Sequence, residues 1–239
     1  LAAAQVHRAL GIPWVATLHG PDQPLPAAAG PPAAVICVSR EIARSLPSSL
    51  RAVVIENGVD LTRFNPARRA AAPGGGRLRA VYLGRVGPSK VQGLLALQEA
   101  LGSRPDVELR FVSTWAPGGA GRPSGCVEEE LAAADLVFST GRGVREAMAC
   151  GCAAFVLGAY FDGLVTPSNV DLLAECNFSG RATRRRPTAG RLTVELLPLL
   201  RRPDELTRLG RFGAEHAARA WDARAFARQT LETYLTAVS

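Results

Sequence analysis

The sequence predicts an α/β fold built from two parallel sheets. Seven short runs of aliphatic and β-branched residues recur along the chain, at 14–18, 34–38, 52–56, 79–84, 107–112, 135–139 and 153–157. They are nearly continuous rather than alternating, as strands buried on both faces are. Helical patterns lie between several of them, at 40–46, 90–101, 127–134 and 144–150. Strand–helix alternation of this kind builds parallel sheets. One stretch, "NPARRAAAPGGGR" (65–77), breaks the alternation. Its glycines, prolines and charges read as a linker between a block of three strands and a block of four.

In chain order, "WVATL", "AVICV" and "AVVIE" form the first block. It is too short for a self-sufficient doubly wound domain. The expectation is an incomplete first domain whose opening strands are absent, cleaved or supplied by a partner chain. In the second block, residues 78–160 are expected to form one parallel sheet with helices on both faces. Ser89 is expected to cap the helix that starts at Lys90, and Asp222 to cap the last helix. Residues 188–238 read as helical throughout, with the last helix returning toward the first block. The division is then 1–66, 67–219 and 220–239.

The 239 residues are 47% hydrophobic and 21% charged, an ordinary globular mix. The uncharged apolar stretch 148–161 is too short to span a bilayer. The start, "LAAAQVHRALG", lacks the layout of a signal peptide. Five cysteines, mostly in apolar runs, suggest free thiols in a reducing compartment. The expected location is the cytoplasm, with peripheral contact to the inner membrane face. A net charge of +7 points to anionic partners: nucleotides, nucleic acid or an acidic membrane surface. Arginine and alanine richness also fits a GC-rich coding sequence. Among 28 basic residues only Lys90 is a lysine.

Three stretches could carry chemistry. "LGRVGPSK" (83–90) places Arg85 and Lys90 just past the carboxyl end of a strand, after Gly84. It fits neither the P-loop nor the Rossmann glycine pattern. A diphosphate there would meet a forked donor and a compact ammonium. The alternative is a surface Arg and Lys flanking a helix start. "STGRGVREAMACGC" (139–152) turns the chain at Gly141, Arg142 and Gly143 into a helix whose free N–H groups suit phosphate oxygens. Glu146 in that helix is either a ligand-binding acid or an acid that favours the helix start. Cys150 and Cys152 lack further ligands nearby and read as packing rather than metal ligands. In "TLHG" (17–20), His19 follows a buried strand and either faces a cleft or is structural.

These residues resemble the family-four retaining glycosyltransferases of the GT-B type. "TLHG", "VICVSREIARSL" with "VVIENGVDLTRFNP", "LGRVGPSK" and "ADLVF…REAMACGCAAFVL" match the family's signatures in order, over about residues 10–160. The resemblance implies two Rossmann-like domains facing a cleft, the first incomplete. It implies sugar transfer from a nucleoside-diphosphate donor with retention of configuration, with no cofactor or metal. Arg85 and Lys90 would hold the diphosphate, and Glu146 the ribose hydroxyls. Gly84, Gly141, Arg142 and Gly143 would line the donor site, and His19 would face the sugar.

Two departures stand out. The family's other glutamate, eight residues before Glu146, is here Phe138, and the loop is shortened to "TGRG". "TPSNVDLLAECNFSGR" (166–181) replaces the usual segment after the last strand, as in a divergent bacterial subgroup. The acceptor, whether saccharide, lipid or small molecule, is not legible. Two rivals remain open: a non-catalytic nucleotide-sugar-binding subunit, and a nucleic-acid binder using "GRATRRRPTAGR" (180–191). The second is disfavoured because no aromatic residue interleaves those arginines.

Overall fold

The computed structural model describes residues 2–25, 30–69 and 76–238. The α/β class read from the sequence is the one observed. Helix α1 (Ala2–Leu10) leads into a three-stranded parallel sheet, β1 (Val15–Leu18), β2 (Ala34–Cys37) and β3 (Ala52–Val54), in that order. All four residues of β2 are buried, as its unbroken apolar run requires. Helix α2 (Arg40–Arg44) follows β2, and the Ser39 hydroxyl caps it by accepting from the Ile42 amide.

The second sheet has β4 (Leu78–Leu83), β5 (Val107–Val112), β6 (Leu136–Ser139), β7 (Ala153–Leu157) and β8 (Phe161–Leu164). The strand order is β5-β4-β6-β7-β8. All pairings are parallel except β7 with β8. Over residues 78–160 the sheet is parallel as expected, and β8 adds an antiparallel edge just beyond that range. "FDGL" escapes a sequence reading because Asp and Gly are poor strand formers. The Gly158 amide donates to the Tyr160 carbonyl, so the chain reverses within a few residues.

Helices cover both faces of this sheet. One face buries Tyr82 and Phe138 against Leu94 and Leu97 of α3 (Val91–Leu101), with Leu192 and Leu196 of α7 (Ala189–Leu200). The other buries Val81 and Val137 against Leu131 of α4 (Val127–Ala132) and Val144 and Met148 of α5 (Arg142–Ala149). Each such side chain contributes about 1.5–3 kcal/mol when fully buried. A short helix, α6 (Val170–Glu175), lies in the segment of unusual sequence. Ser89 does not cap α3: Pro88–Lys90 form a 3-10 turn headed by Gly87, with no side-chain cap.

Of the linker expected at 65–77, residues 70–75 lie outside the described residues. Before that gap, the Arg69 guanidinium donates to the carbonyls of Ala134 (3.0 Å) and Gly151 (2.9 Å). It also pairs with Asp135, which Arg79 holds from the other side. These groups pin the linker to the amino edge of the second sheet. Helix α8 (Pro203–Ala220) packs on α5 and β7. Helix α9 (Ala223–Val238) then crosses to the first sheet. The Val59 amide donates to the Trp221 carbonyl at 2.7 Å, and the Ala223 amide to the Val59 carbonyl at 3.0 Å. Gly58 permits this crossing, since a Cβ there would lie 2.5 Å from the Ala223 Cα. Among the described residues, no helix is long and apolar enough to cross a membrane.

Candidate functional site

The strand order places a switch point between β4 and β6. From β4 the chain moves to β5 on one side, then returns to β6 on the other. In open parallel sheets the helices after two such strands diverge, and a ligand crevice opens at their carboxyl ends. Arg85 and Lys90 follow β4 there, and Thr140 to Glu146 follow β6. Gly84 continues β4 by donating its amide to the Val112 carbonyl at 3.2 Å.

Lys90 reaches across the switch point. Its Nζ donates to Thr140 Oγ1 at 2.9 Å. Burial, and then the neighbouring Arg85 charge, push its ammonium below the ordinary lysine value. Among the described residues neither cation forms an ion pair with a carboxylate, and two neighbouring positive charges favour an anion. Arg85 itself is exposed at the rim. Thr140 had no assigned role in the sequence reading, although it lies inside the quoted "STGRG".

Helix α5 begins at the end of β6 by way of Gly141, which adopts φ 61°. The Gly141 amide donates to the Phe178 carbonyl at 3.0 Å, so a neighbouring loop already uses it. This leaves the amides of Arg142 and Gly143, first in the helix, as the donors at that end. Gly143 allows the helix to start close to the strand. A Cβ there would fall 2.2 Å from Ser139 Oγ, which donates to the Leu83 carbonyl.

Glu146 is buried and accepts Arg142 Nε at 2.9 Å. Its burial raises its pKa above the usual carboxylate value, while the charges of Arg142 and Arg63 oppose that rise. Arg63 comes from the inter-block stretch and pairs with Glu128 of α4 at 2.7 Å. The structure thus forms two clusters, Lys90–Arg85–Thr140 and Glu146–Arg142–Arg63, joined through the Thr140–Arg142 turn. His19 is exposed at the carboxyl end of β1, its amide donating to Gln23 Oε1 at 2.9 Å. It belongs to the first sheet and touches none of these side chains among the described contacts. Phe138 is fully buried in β6 and cannot take the place of a ligand-facing acid.

Arg145 was not singled out from the sequence. It is fully buried, donates Nη1 to Glu56 Oε2 at 2.7 Å, and lies over the rings of Trp221 (4.7 Å) and Phe178 (5.2 Å). Among the described residues its Nε and Nη2 have no hydrogen-bond partner. The sequence carries no signal for it, since Arg142, three residues earlier on the same helix, is exposed and makes a cation at 145 read as one more surface arginine. More ion pairs join the blocks. Arg181 forks onto Glu41 at 2.9 and 3.0 Å, and Arg44 meets Glu175 at 2.8 Å.

A cavity of about 670 Å3 opens elsewhere, at the amino edge beside Arg69, Arg79 and Asp135. That is the wrong edge for a ligand in an open parallel sheet. A smaller cavity of about 230 Å3, lined by Trp115, Ala116 and Gly121, lies past the carboxyl end of β5. Cys150 and Cys152 are buried, and burial pushes both thiols up to about 12. Cys152 Sγ donates to the Leu131 carbonyl.

Solved structures share this architecture. The chain matches a glycosyltransferase from Rickettsia africae with a TM-score of 0.69 at 13% identity, over 100% of this chain and 74% of that one. It matches sucrose-phosphate synthase from Thermosynechococcus elongatus with a TM-score of 0.69 at 19% identity, over 98% and 71%. The Anabaena HepE structure, in complex with UDP-glucose, gives 0.68 at 16% identity, over 98% and 75%. No family model and no curated protein sequence matches the chain. At these identities the likeness establishes the fold: two Rossmann-like sheets of the GT-B type.

Proposed function

We propose that the chain transfers a sugar from a nucleoside-diphosphate donor to an acceptor hydroxyl, with retention of configuration. The observation that carries the reading is the Lys90–Thr140 bridge across the switch point, with Arg85 beside it. Such a site suits a diphosphate. As the glycosidic bond breaks, negative charge grows on the phosphate nearest the sugar. Fixed positive charge at that point lowers the barrier. In this reading Lys90 and Arg85 supply the charge, without a metal. Glu146 takes the ribose hydroxyls, and the exposed face of Trp115 stacks on the base. His19 lies at the facing edge, on the sugar side. The glycosyltransferase fold and the donor seen with HepE support this assignment.

Thermal-shift measurements with uridine, guanosine, adenosine and thymidine diphosphates test it. A ligand bound at 100 times its Kd stabilises the native state by about 2.7 kcal/mol. One of the four should raise the melting temperature of the parent, and Lys90→Ala should abolish the rise. No shift with any of them would remove the nucleotide reading.

A further inference from the structure

We propose that Asn57 and Asn177 form a carboxamide pair that reads the hydroxyls of the donor sugar. This inference rests on the nucleotide-sugar reading above and names the part of that site which selects the sugar. The two residues come from opposite sheets. Asn57 follows β3 by way of Glu56, at the carboxyl edge of the first sheet, and Asn177 lies in the loop after α6. Asn57 Nδ2 stands 3.4 Å from Asn177 Oδ1, so the two amides meet between the sheets. Both residues are half-buried, which leaves them within reach of a ligand.

Their location fits a group attached to a phosphate at Lys90. A Cβ built on Gly141 would lie 3.7 Å from Asn177 Nδ2. Gly141 directly follows Thr140, the partner of Lys90. Adjacent Cα atoms are about 3.8 Å apart, so the amide pair stands next to the phosphate end of the crevice. His19 ends a strand two places from β3 in the same sheet, about 10 Å away at ordinary strand spacing. A sugar ring fits between these limits.

The backbone is bent to hold the pair in place. Asn177 and Phe178 both adopt left-handed angles, φ 51° and φ 49°. Asn tolerates this region, but Phe rarely adopts it. The conformation persists because its surroundings fix it. The Phe178 amide donates to the Leu173 carbonyl, its own carbonyl accepts from Gly141, and its buried ring meets Trp221 edge-on at 5.5 Å.

The chemistry of the pair is matched to hydroxyls. A carboxamide carries two donors and an oxygen with two lone pairs, and the mutual bond uses one donor and one lone pair. The remaining groups have no other partner among the described contacts. Sugar hydroxyls both donate and accept, so neutral amides can meet them in either sense. A neutral pair also places no second anion beside the diphosphate.

Titration calorimetry on the full chain tests the assignment. The probes are the nucleoside diphosphate that stabilises the parent and its glucose, galactose and N-acetylglucosamine conjugates. Asn177→Gly suits the left-handed backbone and removes only the carboxamide, and Asn57→Ala removes its partner. Each should leave the Kd of the diphosphate within about twofold of the parent. Each should weaken the tightest-binding conjugate about 5–15-fold, as expected for loss of one or two hydrogen bonds. Equal losses on diphosphate and conjugate, or no loss on either, would overturn the assignment while leaving nucleotide binding intact. If the parent binds none of the diphosphates, the nucleotide reading and this inference fall together.

Discussion

Replacing Lys90 with arginine keeps the charge and removes the shape. The Lys90 stem runs beside Gly158 and Thr140. A Cβ on Gly158 would lie 3.8 Å from Lys90 Cε and only 2.8 Å from Thr140 Cγ2. An ammonium is compact and reaches Thr140 Oγ1 at 2.9 Å, whereas a planar guanidinium needs a wider slot and presents its donors as a fork. Loss of one preorganised donor to a developing oxyanion costs about 10²–10³ in kcat, or about 2.7–4 kcal/mol. Lys90→Ala should therefore lower kcat by that range, with a smaller change in KM, because the interaction strengthens as the bond breaks. Lys90→Arg should recover less than a tenth of the parent rate. The assay is release of nucleoside diphosphate from the donor identified by thermal shift, with and without candidate acceptors. Full activity in Lys90→Arg would refute the argument, and the single lysine among 28 basic residues would be an accident of composition.

Glu146→Gln should separate binding from stability. The buried carboxylate has a raised pKa, so the folded state disfavours its charge. That penalty is present above the folded pKa and vanishes as pH falls through it toward the unfolded value. The variant should melt higher than the parent at neutral pH, with the gap closing in acid, and should bind the diphosphate about 10–150-fold more weakly, the span for hydrogen bonds to a charged group. Melting curves between pH 4 and 8 check the first part; a constant gap would exclude Glu146 titration as its cause. Gly58→Ala should destabilise by about 1–3 kcal/mol in urea, since the new methyl meets the Ala223 backbone. An unchanged midpoint would show that the crossing of α9 is loose. Arg145→Met strands the Glu56 carboxylate and should cost about 3 kcal/mol, the lower end for a broken buried pair because Glu56 is partly exposed. Adding Glu56→Met should recover most of the loss; a double variant as unstable as the single one would contradict the pairing argument.

Every strand the sequence reading placed is found within two residues at each end, because buried parallel strands write themselves as unbroken apolar runs. The switch point was also legible in outline, since "LGR" and "STGRG" both end strands with turn residues. Strand β8 was not, because an edge strand need not be apolar and "FDGL" carries two residues that strands disfavour. The cap at Ser89 failed because Pro88 starts a 3-10 turn before the helix proper. Arg145, Asn57 and Asn177 gain their positions only from tertiary structure. A sequence shows that Asn177 precedes Phe178, but not that both turn left-handed or that the loop folds onto Gly141.

The buried Arg145–Glu56 pair is hard to explain by stability alone. Apolar residues of similar size often replace such a pair at no cost. Among the described residues two of the guanidinium nitrogens lack hydrogen bonds, and the aromatic faces of Trp221 and Phe178 compensate. Its place in the chain is more informative. Glu56 immediately precedes Asn57, and Arg145 immediately precedes Glu146. Trp221 marks the crossing of α9, and Phe178 anchors the loop that carries Asn177. One side chain therefore contacts the neighbours of Asn57 and Asn177 and comes from the residue before Glu146. A short, charge-assisted bond is directional where apolar packing is not. The pair thus ties the segment after β3 to α5, across the two sheets, in a defined direction.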